Sequence, residues 1–194
     1  EALREQARRF LEDRSGRDKA RAVMTSGASH DAALWAEIVA LGWTAIRIPE
    51  EHGGLGLSVL ELCVLAEEIG RLVSPVPFTS SVLLATEALL AAGTDAQKAH
   101  WLPKLADGSA IGTVALGEGT AAPGTRSTLQ IKDGMATGVK VPVPDAAAAD
   151  FIILSGADGL YIVDTKAAGV TIDAVETIDL VRRSARVTLT NAPV

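Results

Sequence analysis

The chain has 194 residues, 48% of them hydrophobic and 22% charged, with a formal net charge of -6. That length and apolar share are enough for one large domain or two small ones. The mild acidity offers no basic field to nucleic acid or anionic lipid, and no apolar run approaches the roughly 20 residues of a membrane span.

The opening segment "EALREQARRFLEDR" is charged and helical in pattern, unlike a secretory signal, and predicts a first helix running to about Met24. A break at "TSGASH" follows, and Asp31 is placed to cap a second helix through Trp35, Ile38 and Leu41, closed by Gly42. Gly53, Gly54 and Gly56 then crowd a turn before Ser58 and Glu61, whose S-x-x-E spacing is a capping box. The apolar set Val59, Leu62, Cys63, Ala66 and Ile69 recurs at helical spacing and predicts that Cys63 lies in the core. Pro75 and Pro77 are expected to stop this helix. Another is predicted in "TSSVLLATEALLAAG", ended by Gly93, and Thr94 with Gln97 forms a second capping box for "DAQKAHWLPKLA".

After Gly108 the apolar period changes from helical to two. "AIGTVALGE", "STLQIK", "MATGVKVPV", "FIILSG", "LYIVDT", "GVTIDAVETI" and "ARVTLTN" read as short strands, with Asp133-Gly134 and Asp158-Gly159 as hairpin signals. Helices come first and strands afterwards, without βαβ alternation. The expected class is therefore α+β with two domains: an all-α helical domain over residues 1–108 and a small antiparallel β-barrel or sandwich over 109–194. A single cysteine, Cys63, leaves no internal disulfide framework and makes a reducing, cytoplasmic location the expectation.

Catalytic constellations are sparse. His30, His52 and His100 are scattered without ligand spacing, so no metal site is expected. "GGLGLS" lacks the lysine of a phosphate-binding loop and the strand–turn–helix context of a dinucleotide fold, and reads as a tight turn leading into a capped helix. Glu50-Glu51 and Glu67-Glu68 read as solvated faces, and Trp35, Trp43 and Trp101 as interhelix packing residues. Residue types alone reach a helical domain joined to a β-domain and no catalytic centre.

The order of motifs adds a resemblance. "LWAEIVALGWTAIRIPEEHGGLGLS", "LAEEIGR", "AGTDAQKAHWLPKLADGSAIGTVALGE", "DGMATGVKVPVPDAAAAD" and "FIIL" together resemble an acyl-CoA dehydrogenase, its N-terminal helical domain and middle β-domain, over essentially the full chain. The resemblance implies an FAD-dependent oxidoreductase that converts an acyl-CoA thioester to the trans-2-enoyl-CoA. A carboxylate takes the α-proton while the β-hydrogen leaves as hydride to the flavin. In that family the base is a glutamate of a C-terminal helical bundle, so no catalytic residue is expected within these 194 residues, and a longer polypeptide or another chain would supply it. Partners implied are an acyl-CoA substrate, an electron-transfer flavoprotein or similar acceptor, and a homo- or hetero-oligomer with another acyl-CoA dehydrogenase subunit. The "SPVPF" variant resembles the branch that degrades bulky acyl-CoA thioesters, which brings fatty acid or sterol degradation into view.

The resemblance assigns Leu116, Gly117, Glu118, Pro142, Val143 and Pro144 to the cofactor, and Ser80, Ser81, Ala85 and Thr125 to the substrate side. Two stretches depart from the family pattern. Gly117 stands where a Thr or Ser hydroxyl would meet the flavin's pyrimidine edge, with Gly119, Gly124 and Thr125 in the loop that follows. Counted from Lys140, Pro142 replaces an aromatic residue and Pro144 a Thr, and proline has no backbone N–H to donate. Each lost hydrogen bond would cost about 0.5–1.5 kcal/mol, which weakens FAD binding, although a Pro-Val-Pro wall is still expected to pack on the ring. Three hypotheses result: an FAD-dependent dehydrogenase subunit, a flavin-poor non-catalytic partner subunit of a heteromeric dehydrogenase, and an unrelated helical binding module fused to a β-sandwich. The resemblance further implies that the helices and the small sheet each build part of a cleft for flavin and thioester. The glycine-rich turn is then architecture and need not touch a phosphate.

Overall fold

The computed structural model describes residues 1–120 and 126–194, which fall into two compact units, Glu1–Ala110 and Ile111–Val194. The first contains α1 (Ala2–Arg14), α2 (Arg17–Ser26), α3 (Ala32–Ala40), α4 (Val59–Arg71), a π-helical segment (Thr79–Thr86) that runs directly into α5 (Glu87–Ala92), and α6 (Asp95–Ala106). Its interior is built from fully buried side chains that include Leu11, Ile38, Ile46, Ile48, Leu65, Phe78, Leu89, Leu102 and Leu105, each contributing about 1.5–3 kcal/mol by leaving water.

Helix boundaries follow the local chemistry read from the sequence, with corrections. Both capping boxes form, Ser58 with Glu61 and Thr94 with Gln97, and the Asp31 carboxylate accepts the Leu34 N–H at 3.0 Å. The expected first helix is two, because Ser15 is extended and Gly16 takes φ 150°, outside helical space. The Ser15 hydroxyl then donates to Ser74 at 2.9 Å inside the unit. The fourth helix ends at Arg71, ahead of Pro75, because Val73 already adopts φ 51°. The regular helix expected from Thr79 onward starts instead as a π-helix, in which the Thr86 hydroxyl donates to the Ser81 carbonyl five residues back at 2.9 Å.

Cys63 is exposed, contrary to expectation. The buried stripe of α4 is Leu62, Leu65, Glu68 and Ile69. One of its members is a carboxylate, so apolar spacing alone places the stripe on the wrong side. Trp35 and Trp43 are buried and Phe10 meets Trp43 edge-on with ring centroids 5.4 Å apart, whereas Trp101 is half-buried beneath Lys104.

The glycine-rich turn is stitched to the segment before it: Leu55 N–H donates to the Ala45 carbonyl at 2.9 Å, Gly56 to Ile48 at 2.8 Å and Leu57 to Ile46 at 2.8 Å. Gly54 is required by close approach, since a Cβ there would lie 1.9 Å from the Ile48 carbonyl oxygen.

Among the described residues the second unit has seven strands: β1 (Gly112–Ala115), β2 (Gln130–Lys132), β3 (Met135–Pro144), β4 (Phe151–Ser155), β5 (Leu160–Asp164), β6 (Val170–Val175) and β7 (Ser184–Pro193). They form a three-stranded sheet, β1-β4-β5, and a four-stranded sheet, β2-β3-β7-β6. Asp133 and Gly134 both take left-handed angles in the two-residue turn from β2 to β3. One pair departs from the expected antiparallel arrangement: β1 and β4 are parallel, Gly112 opposite Phe151, because the chain between them passes through the other sheet and returns in the same direction. Leu129, Val143, Ile152, Leu154, Val163, Val187 and Leu189 fill the core of this unit.

Candidate cofactor site

The six residues that the resemblance assigns to a cofactor lie on two segments of the second unit that meet, 116–118 and 142–144. The chain leaving β1 runs Leu116–Gly117–Glu118–Gly119 beside β3 and is held there by two backbone hydrogen bonds, Val141 N–H to the Gly117 carbonyl at 2.9 Å and Gly119 N–H to the Val141 carbonyl at 2.8 Å. Glu118 and Val141 form an isolated parallel bridge. On its other side β3 pairs with β7, where Lys140 faces Val187 but Val143 faces Ala185, so β3 carries an extra residue over this interval. Pro142 sits in that bulge, where the missing N–H removes no ladder hydrogen bond.

Behind the edge lies a polar network that the sequence did not disclose. Lys140 is fully buried, and its Nζ donates to Glu118 Oε1 at 2.5 Å, Ser155 Oγ at 3.0 Å and Ser127 Oγ at 3.2 Å. Glu118 also accepts from the Ser127 hydroxyl, the Thr128 N–H at 2.8 Å and the Thr128 hydroxyl at 2.6 Å. Burial pushes the Glu118 carboxyl up, but the hydrogen bonds from Lys140, Ser127 and Thr128 outweigh it and hold the group at about 2. The available signal was a lone lysine inside a strand of alternating pattern, with a glutamate on the neighbouring segment. In the alternation of β3, Lys140 falls on the buried side.

The other predicted positions scatter. Ser80, Ser81 and Ala85 are all buried in the first unit, and Thr125 and Gly124 lie outside the described residues. Glu68 corrects the reading of Glu67-Glu68 as a solvated face. Its side chain has no exposed surface and accepts from Arg8 Nη2 at 2.7 Å, Arg71 Nε at 2.9 Å, Arg8 Nε at 3.1 Å and Arg4 Nη1 at 3.2 Å. Arg8 foremost, with Arg71, holds its carboxyl at about 2 against the opposing effect of burial. This charge cluster ties α1 to α4 and leaves no carboxylate oxygen free to act as a base. Among the described residues no helix is long and apolar enough to cross a membrane, and no group of three or more His, Cys, Asp or Glu side chains is placed to hold a metal ion.

Residues 1–109 match the family model described as Acyl-CoA dehydrogenase, N-terminal domain. The chain belongs to the acyl-CoA dehydrogenase family. It is 36% identical over 142 residues to (2S)-methylsuccinyl-CoA dehydrogenase of Cereibacter sphaeroides, covering 69% of this chain and 25% of that protein. To the acyl-CoA dehydrogenase IpdE2 of Mycobacterium tuberculosis it is 36% identical over 115 residues, covering 59% of this chain and 35% of that one. Among solved structures, a variant of the Tcur3481-Tcur3483 steroid ACAD superposes with a TM-score of 0.89 at 34% identity, covering 99% of this chain and 55% of that chain. The ChsE4-ChsE5 complex of Mycobacterium tuberculosis superposes with a TM-score of 0.86 at 25% identity, over 100% of this chain and 54% of that one. The chain thus spans only part of the length of the relatives it matches.

Members of this family are FAD-dependent, which makes the fit of the edge to a flavin the deciding question. The residues present do not fit. Gly117 carries no hydroxyl, and a Cβ there would stand 2.9 Å from the Val141 carbonyl oxygen. Glu118 is occupied by Lys140, Ser127 and Thr128, as described. Val143, expected in an apolar wall, is fully buried, and the Pro144 carbonyl is taken by the Thr113 hydroxyl at 2.6 Å. What faces outward is apolar: Leu116, 65% exposed, and the ring of Pro142.

Proposed function

We propose that this chain belongs to a partner subunit in a heteromeric acyl-CoA dehydrogenase assembly, one that keeps the family's architecture and contributes structure rather than flavin chemistry. The observation that carries the reading is the edge around Gly117, Pro142 and Pro144, where none of the three residues offers a side-chain donor and neither proline has a backbone N–H. The assembly as a whole would act on an acyl-CoA and release the trans-2-enoyl-CoA, with its proton acceptor housed outside this chain. Two of the structurally similar proteins are two-component by name, Tcur3481-Tcur3483 and ChsE4-ChsE5, and the first is a steroid ACAD. CoA thioesters of bulky, ring-bearing acyl groups therefore head the substrate panel.

The test is to purify the full natural protein alone and together with a co-expressed homologous subunit, then to follow acyl-CoA-dependent reduction of an artificial electron acceptor. Turnover by the pair, with none from this protein alone, is the expected result. Turnover by this protein alone, with flavin bound to it, would instead support a self-sufficient FAD-dependent dehydrogenase.

A further inference from the structure

Gly117 is more than a missing hydroxyl. Its φ is not among the left-handed values found elsewhere in the chain, so the backbone angle there is open to any residue. What forbids a side chain is space: an added Cβ would meet the Val141 carbonyl oxygen at 2.9 Å, the Val141 carbonyl carbon at 3.4 Å and Pro142 Cδ at 3.4 Å. The first two are main-chain atoms and cannot swing aside. They are also fixed in place, because Val141 N–H and C=O are both engaged, by Gly117 and Gly119 respectively. Pro142 is seated in the β3 bulge, next to the residue that pairs with the 117–119 segment.

From this we infer that Gly117 and the Val141–Pro142 segment form one matched closure, in which main chain occupies the space that a hydroxyl side chain would need. FAD therefore finds no side-chain donor at position 117, and none can be introduced there without displacing the Val141 carbonyl. The inference rests on the partner-subunit reading and deepens it: the changes at 117 and 142 are two halves of one packing solution, and restoring the hydroxyl alone does not restore the site. Lys140 and Glu118 lock the closure from behind, since both lie in the two segments that meet there and bind one another directly.

The experiment uses the full natural protein. FAD is titrated to about 100 μM and binding is read from flavin fluorescence anisotropy, while thermal unfolding is followed separately by circular dichroism. The wild-type protein is expected to show no saturable binding. Gly117→Ala, which adds only the Cβ, is expected to remain folded but to melt at least about 2 °C lower, and Gly117→Thr to melt lower still without acquiring FAD. An unchanged melting temperature for Gly117→Ala overturns the closure. FAD binding gained by Gly117→Thr alone also overturns it, while leaving the partner-subunit reading standing. Saturable FAD binding by the wild type, lost on substitution of Leu116 or Pro142, overturns both.

Discussion

Lys140 and Glu118 meet at 2.5 Å across the two segments that form the candidate edge, one side chain with no exposed surface and the other with 11%. Glu118→Gln removes the charge opposite a buried ammonium, which is left with neutral acceptors alone, the amide oxygen and the serine hydroxyls. The expected loss is about 3–5 kcal/mol, as for other buried pairs broken on one side. Adding Lys140→Met to that variant should recover part of the loss, since the unpaired charge goes with it. Urea unfolding of the two single variants and the double variant measures the coupling.

The two depressed carboxylates set the response to acid. Glu68 and Glu118 are both held at about 2 in the folded protein against an ordinary 4.5. Their contribution is fully present above pH 4.5 and is lost as pH falls from there toward 2. Stability should therefore drop through that window, and the Glu68→Gln and Glu118→Gln variants should each show a shallower decline. Denaturant midpoints taken across the pH range would show it.

Glu68→Gln is expected to loosen α1 from α4, because Arg4, Arg8 and Arg71 lose the charge they share. All three guanidinium groups reach water, with 27%, 47% and 38% of their side chains exposed. The expected cost is accordingly modest for a buried charge, about 1–3 kcal/mol. Hydrogen exchange should show the amides of α1 losing protection before those of α6.

Gly54→Ala should be severe, because the new methyl would overlap the Ile48 carbonyl. A loss of at least about 3 kcal/mol is expected. Gly53→Ala next to it, where the added atom meets open space but φ is 80°, should cost about 1–2 kcal/mol. Reversal of that order in thermal or urea unfolding would contradict the stitched turn.

Cys63 should react with a thiol reagent in the native protein as readily as after unfolding, since the residue is exposed on α4. Slow labelling that accelerates only in denaturant would return it to the core.

Several features were legible in the residues because they depend on near neighbours. The capping boxes at Ser58 and Thr94, the Asp31 cap, the seven strand segments and the Asp133-Gly134 turn are local chemistry, settled within a few positions. The change of apolar period after Gly108 carried the helices-then-strands class, and the order of motifs carried the family. The departures at Gly117, Pro142 and Pro144 were likewise visible in the string of letters.

Tertiary structure decided what depends on residues far apart in the chain. Glu68 looked solvated beside Glu67 until Arg4 and Arg8, some sixty positions earlier, closed over it. Cys63 looked buried until that carboxylate took a place in the core-facing stripe of its helix. Lys140 and Glu118 are 22 positions apart and became a pair only when the strand end met β3. Gly117 read as a lost hydroxyl, and only the approach of the Val141 carbonyl revealed why no side chain stands there. Periodicity and capping are short-range properties of a chain, whereas ion pairing and close backbone contact exist only once distant segments share the same space.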